Sequence, residues 1–266
     1  MKYKIDHDYH IHTFLSWCSS DEGQLPAAIL EIAKARGLKQ ICVTDHYWDS
    51  AVLGASNWYA PQNFEHISKS KPLPQDENIK FLFGAETELT KNLTLGIPLR
   101  RFNDFDFLII PTTHFHMNGF TVNEDEFRNN QKLAKLWIKR LDYLLDLPLP
   151  FEKIGIAHLA CHLINNNTYE DYLETLSLIE ESEMERVFTK MAKVGCGVEL
   201  NKGDMSFSDS EKDIVLRPFK IAKNCGCKFY LGSDAHNPSA FNNFKEVFDR
   251  AITLLDLKES DKFYIK

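Results

Sequence analysis

Short apolar runs alternate with amphipathic stretches along this chain. Seven of the runs, at 3–9, 40–44, 80–85, 106–111, 153–157, 197–200 and 228–232, are brief, rich in β-branched and aromatic residues, and lack strict polar alternation. Runs of this kind read as parallel strands buried on both faces. Between them the apolar positions recur at helical spacing. Residues 25–36 carry Ile29, Ile32 and Ala33 on one stripe and end at Gly37, a natural C-cap. Residues 125–145 place Leu133, Leu136, Trp137, Leu141 and Leu144 on one side, and a long helical region, one helix or two, covers 169–194 and stops at Gly195. Pro218 opens a short helix through Asn224, and Phe241, Phe244, Phe248, Ile252 and Leu255 give a last helix its buried face. Residues 47–78 are irregular, with a partial helix expected at 63–70. A long insertion after a strand is more often functional than idle.

Seven strands with intervening helices predict an α/β protein: a closed or nearly closed, TIM-like β/α barrel, one strand short of the usual eight. An open doubly wound sheet is the competing arrangement, since periodicity is the same in both. No linker, low-complexity tract or internal repeat divides 1–266, so a single domain is expected.

Composition narrows the partners. A net charge of −7 argues against a general nucleic-acid-binding surface. No stretch approaches the length of a membrane span, and the start has no apolar signal-peptide core, so the cytoplasm is the expected location. The six cysteines form no dense framework and read as reduced thiols. Cys225 and Cys227 have no second pair at zinc-finger spacing.

The residues that follow the strands carry the chemistry. The first run leads into YHIHT with His10 and His12, the second into TDH with Asp45 and His46, and the third into GAETE with Glu86 and Glu88. PTTHFH then brings His114 and His116, IAHLACH brings His158, GVELN brings Glu199 and Asn201, and GSDAH brings Asp234 and His236. In parallel β/α folds the C-terminal strand ends converge on one face. A His-x-His pair on a strand also puts both imidazoles on the same side, because side chains alternate. Neutral imidazoles and carboxylates suit zinc, manganese or iron, and a carboxylate can bridge two ions. Ions ~3.5–4 Å apart stabilise the attacking and leaving oxygens of phosphoryl transfer.

YHIHT, TDH, GAE, the histidines after strands four and five, and GSDAH occur in an order that resembles the polymerase-and-histidinol-phosphatase (PHP) superfamily across 9–236. The resemblance implies a distorted seven-stranded barrel with two or three divalent ions (Zn, Mn or Fe) at the C-terminal strand ends. It implies that His10, His12, Glu86 and Asp234 hold a first ion, that Glu86 bridges to a second held by His114 and His158, and that His46 and His236 ligate a third. Asp45 matches a position that orients a ligand. The family supplies another third-site ligand soon after the His-x-His pair, where this chain reads FLSWCSSDEG. Cys18, Asp21 and Glu22 are the candidates, and Asp21 is the expected one.

KIAKNCGCKFYLGSDAH and GVELNKG are similar to the histidinol-phosphatase branch, which implies a small-molecule phosphate ester as substrate and a place in histidine biosynthesis. That branch tends to carry an Arg where this chain has NKGDMSF, so Lys202 or Arg217 is expected to supply the positive charge beside Glu199 and Asn201 at the substrate mouth. The expected reaction is phosphomonoester hydrolysis by metal-activated water, with His46, His236 and Asp45 as catalytic residues. A phosphodiesterase or nuclease of the same family is the alternative. An amidohydrolase, which typically places a bridging lysine at the fourth strand, and a non-catalytic metal-binding module are less favoured. His7 and His66 read as solvated surface residues, and Glu88 as a residue behind the ligands, while His116 either points into the site beside His114 or packs behind it. His162 shares the site only if the chain turns helical after His158, and the aromatics of 48–59 serve either as loop packing or as a substrate wall.

Overall fold

The seven apolar runs become a ring of parallel strands in the computed structural model, which describes residues 1–19 and 21–265. The strands are β1 (His7–Ile11), β2 (Gln40–Val43), β3 (His46–Tyr47), β4 (Lys80–Thr87), β5 (Phe107–Pro111), β6 (Ile154–Ala157), β7 (Gly197–Asn201) and β8 (Lys228–Gly232). Their order is β1-β2-β4-β5-β6-β7-β8, and the two-residue β3 pairs with the end of β4. The ring is nearly closed. Asp234 N donates to His10 O at 2.8 Å and His12 N donates to Ala235 O at 3.0 Å, joining β8 back to β1.

The seam between those strands is partly made by side chains. Leu231 N donates to His7 Nε2 at 3.1 Å, and Ser233 N donates to Asp8 Oδ1 at 2.9 Å. A buried amide needs an acceptor wherever the ladder is interrupted, and these two side chains supply it. His7 is therefore buried in the seam, contrary to its reading as a surface residue. The first strand also starts at His7 and not at residue 3, because pairing with β2 begins at His7 opposite Gln40. His10 consequently sits inside a strand and not beyond one. A register shift between Asp8 and Ile11 lets Tyr9 pack on Phe107 and Tyr230 while His10 turns to Glu199.

Among the described residues, eight α-helices complete the fold: α1 (Pro26–Ala35), α2 (Phe64–Ile67), α3 (Asn130–Asp146), α4 (Tyr169–Ser177), α5 (Glu181–Val194), α6 (Lys212–Val215), α7 (Arg217–Asn224) and α8 (Phe244–Leu254). The region 169–194 is two helices, and α5 stops at Gly195 in the left-handed conformation that a glycine adopts without penalty. The third helix begins later than its periodicity suggests, because the Asn129 side chain accepts Lys132 N at 3.0 Å and caps it there. A large apolar cluster lies between strands and helices. A smaller one, with Tyr9, Cys42, Leu82, Phe107, Ile109, Ala157 and Tyr230, draws on residues that precede the charged positions along each strand. The charged residues thus rest on a rigid apolar floor. Among the described residues, no helix is long and apolar enough to cross a membrane.

Candidate metal centre

Glu86, near the end of β4, is fully buried, and neither of its carboxylate oxygens has a hydrogen-bond partner. Four imidazoles surround it. His46 Nδ1, His12 Nε2 and His10 Nε2 lie 3.0, 3.4 and 3.6 Å from Oε2, and His158 Nε2 lies 3.5 Å from Oε1. Asp234 meets much of the same set from the other side: His12 Nε2 at 3.1 Å, His10 Nε2 at 3.3 Å and His158 Nε2 at 3.6 Å. The two Nε2 atoms of the His-x-His pair are 3.1 Å apart.

A buried carboxylate with no donor is costly unless a cation meets it. Positive charge from His46 and His10 outweighs the effect of burial and holds the Glu86 carboxyl well below the usual range. The converging donors are imidazole nitrogens and carboxylate oxygens, the ligand types of zinc, manganese and iron. His10, His12 and Asp234 form one group whose donor atoms all lie within 4.8 Å of one another, and His10, Glu86 and His158 form another. These residues fit divalent cations.

Four of the rings are fixed from behind. His10 Nδ1 is 2.6 Å from Glu199 Oε1, and Glu199 Oε2 accepts His158 N at 2.9 Å. His12 Nδ1 donates to Ser16 Oγ at 2.9 Å, and Ser16 Oγ donates to Asp45 Oδ1 at 2.7 Å. Thr13 N and Thr13 Oγ1 each donate to the Asp45 carboxylate at 2.7 Å. His114 Nδ1 is 2.9 Å from Glu88 Oε2, and Arg140 Nη2 donates to Glu88 Oε1 at 3.1 Å. His236 Nδ1 donates to Asp234 O at 2.8 Å. Such partners fix the tautomer and turn the other ring nitrogen toward an ion. His158 and Asp234 both sit in the left-handed backbone region, at φ 57° and 53°. For residues other than glycine this costs about 1–2 kcal/mol each, strain of a kind that gathers at functional sites.

The sequence-predicted residues divide clearly. His10, His12, His46, Glu86, His158, Asp234 and His236 come together, and His114 stands beside His158 with ring centroids 4.9 Å apart. Asp45 orients His12 through Ser16, which the sequence reading overlooked, and touches no imidazole directly. Asp21 is exposed and accepts Gly23 N at 2.7 Å. The group of four donors within 4.8 Å contains Cys18 in its place, with His12, His46 and His236. The neighbouring imidazoles of His236 and His46 bring the thiol of Cys18, which is exposed at the edge of the cluster, down to about 7.

At the expected substrate mouth, Glu199 is fully buried behind His10, while Asn201 lines a cavity beside His158 and Asp234 and also bonds Gly203 N and Glu199. Arg217 donates to the carbonyls of Ser177 and Ile179 in the helical layer. Neither Lys202 nor Arg217 lines a cavity at the centre. His66 is half-buried, with Nε2 2.7 Å from Leu15 O, and is not a solvated residue. Glu88 stands behind His114 as expected, while His116 lines the cavity over the centre.

Two cavities flank the cluster, and His158 and Asp234 line both. The larger, about 450 Å³, is walled by Trp58, Tyr59 and Phe120, which gives the aromatics of the irregular insertion a place over the centre. The smaller, about 370 Å³, holds His162, Tyr169, Tyr172 and Asp204. Asp204 is buried, accepts Ala160 N at 3.1 Å, and is pushed up to about 7 by that burial.

Fold and donor set define the class of protein: a metal-dependent phosphoesterase on a β/α barrel. The chain belongs to the PHP family, whose PHP domain model matches residues 8–203. Asp234 and His236 lie beyond that match, and β8 returns them to the same cluster. Among solved structures, the chain is similar to histidinol phosphate phosphatase (HisK) from Lactococcus lactis, complexed with zinc, L-histidinol and phosphate. That likeness has a TM-score of 0.58 and 19% identity, and covers 94% of this chain and 92% of that one. A Listeria monocytogenes protein assigned as the histidinol phosphatase HisK gives a TM-score of 0.57 and 12% identity over 91% of this chain and 100% of that one. No curated protein sequence matches the chain.

Proposed function

We propose that the protein hydrolyses a small-molecule phosphomonoester of the histidinol-phosphate kind, the chemistry that serves histidine biosynthesis. The observation that carries this reading is Glu86: a buried carboxylate without a hydrogen-bond donor, ringed by imidazoles at the base of a cavity of ligand size. His10, His12 and Asp234 would hold one cation, Glu86 with His158 and His114 a second, and His46 with His236 a third. Zinc, manganese or iron bound there supplies an activated water at neutral pH and neutralises charge on the phosphoryl oxygens.

The protein's own groups do the rest. Glu199, Ser16 with Asp45, and Glu88 fix the rings of His10, His12 and His114, so the donors need no rearrangement during reaction. His46 and His236 line the larger cavity, so the donor atoms they would offer a third cation face the space where a leaving group would sit. Trp58, Tyr59 and Phe120 offer flat apolar surface to a planar leaving group. The zinc, L-histidinol and phosphate in the Lactococcus lactis structure support this substrate class.

Two other readings have less support. No Lys or Arg lines either cavity among the described residues, whereas a nucleic-acid strand is gripped through cations along its backbone. The same lack of lysine disfavours an amidohydrolase centre. The test is metal analysis of protein purified without chelator, followed by phosphate release from a panel of monoesters that includes histidinol phosphate. Turnover of diesters with none of the monoesters would overturn the proposal.

A further inference from the structure

The four-donor group at the solvent edge of the centre carries a thiol where the family pattern leads one to expect an imidazole or a carboxylate. We propose that Cys18 ligates the outer cation as a thiolate, together with His46 and His236, making this position selective for a thiophilic ion such as zinc. The inference rests on the metal-centre reading above.

The assignment follows from which atoms remain free. Cys18, His12, His46 and His236 each offer a donor within 4.8 Å of the others. His12 cannot serve this position as well as the inner one. Its Nδ1 is held by Ser16 Oγ at 2.9 Å, and its Nε2 lies 3.1 Å from both Asp234 Oδ1 and His10 Nε2. One imidazole lone pair binds one ion, so His12 belongs with the inner set. His236 gives Nδ1 to Asp234 O at 2.8 Å and has Nε2 left for a cation. His46 is buried, and its Nδ1 lies 3.0 Å from Glu86 Oε2 without a hydrogen bond between them. Asp21 is occupied by Gly23 N at 2.7 Å and stays exposed.

What remains is Cys18, His46 and His236, three protein ligands at the edge of a cavity. That is the composition of an open zinc site, with a fourth position left for water or substrate. Thiolate and imidazole favour zinc, whereas the inner positions, with Glu86 and Asp234, also suit manganese and iron. On binding, the Cys18 thiol releases its proton to solvent, and the sulfur lone pair forms the bond to the cation.

Cobalt(II) exchanged into the chelator-treated protein tests this directly. The expected result is a near-ultraviolet sulfur-to-cobalt charge-transfer band that is lost in Cys18→Ser. The band persists in Cys161→Ser, which removes the other thiol near the cluster, grouped with His158 and Asp204. Cobalt-loaded protein that hydrolyses monoesters but shows no band, or a band lost only in Cys161→Ser, overturns the role of Cys18 and leaves the proposed function standing. Protein that binds no cobalt at all overturns both. A second readout is independent of any variant's folding. Peptide mass mapping after iodoacetamide treatment should find Cys18 modified in chelated protein and protected in zinc-loaded protein. Equal modification in the two forms contradicts ligation.

Discussion

Glu199 stands directly behind His10, with its Oε1 2.6 Å from His10 Nδ1 and its Oε2 accepting His158 N at 2.9 Å. One carboxylate thus aims one candidate ligand and anchors the backbone of another. Residues in this position tune metal affinity without touching the ion. Glu199→Gln keeps the shape and removes the charge, and should weaken metal binding about 10–100-fold. Titration against a competing chelator measures it. Affinity equal to wild type would mean that Glu199 does not polarise His10.

The same relationship depends on Gly232. A Cβ added there would collide with Glu199 Oε1 and would lie 2.7 Å from His10 Cβ. No backbone peculiarity requires this glycine; the space does. Gly232→Ala should push Glu199 away from His10 and reduce metal affinity as Glu199→Gln does, with an overpacking cost of about 1–3 kcal/mol in stability. Urea unfolding and metal titration on one preparation separate the two effects. A variant that is destabilised yet binds metal normally would show that the carboxylate finds another route to His10.

The ligands were legible in the sequence because they lie in or just beyond the last residues of short buried strands, and strand ends in a parallel β/α fold point to one place. What supports them was not. Glu199 sits within β7, so its place at the end of an apolar run suggested the mouth, while its side chain turns back toward His10. His7 looks like a surface polar residue until the ring closes and gives it and Asp8 amides to accept. The span from Cys18 to Glu22 offered three candidate ligands, and only the fold of the turn decides which one reaches His46. Arg140 did leave a local trace, as the one charged residue within the stripe of Leu133, Leu136, Trp137, Leu141 and Leu144. Its partner is 52 residues away, so periodicity alone cannot say what it holds.

Arg140 is fully buried and donates to the carbonyls of Thr112, Leu89 and Thr121 at 2.8, 2.6 and 2.9 Å, as well as to Glu88. It therefore ties three segments together and fixes the carboxylate behind His114. Removing one partner of a buried pair leaves an uncompensated charge, and Arg140→Met should destabilise the protein by about 3–5 kcal/mol. The double variant with Glu88→Gln should lose less than the sum of the two single variants, because the stranded charge is gone. Additive losses in chemical denaturation would show that Arg140 acts through its carbonyl contacts alone.

Cation removal should be visible in stability as well as in activity. An ion that binds only the folded chain stabilises it by about 2.7 kcal/mol for a site held near a hundredfold its dissociation constant. Without ions, the imidazoles and carboxylates of the cluster compensate one another only in part. Chelation should abolish phosphate release and lower the melting temperature, and added zinc or manganese should restore both. Glu86→Gln should blunt the shift in melting temperature, since it removes the bridging carboxylate. A melting temperature indifferent to chelator would contradict resident ions at this centre.

Acid sensitivity has a source outside the centre. Asp6 Oδ1 lies 2.9 Å from Lys262 Nζ and 3.1 Å from His7 Nδ1, which links the start of the barrel to the C-terminal segment. Burial raises the Asp6 carboxyl, but hydrogen bonds from His7 and Lys262 prevail and lower it from 3.8 to about 2. A carboxyl with a lower value in the folded state binds fewer protons there than in the unfolded chain. Its contribution is complete above the ordinary value of 3.8 and is lost as pH falls toward about 2. Asp6→Asn should therefore be less stable than wild type at neutral pH, and the difference should shrink across that acid window. Urea midpoints of the two proteins, measured side by side down the acid limb, give the difference directly and cancel the other carboxylates. A difference that stays constant into acid would show that Asp6 contributes through shape and hydrogen bonding alone, with no part played by its charge on Lys262.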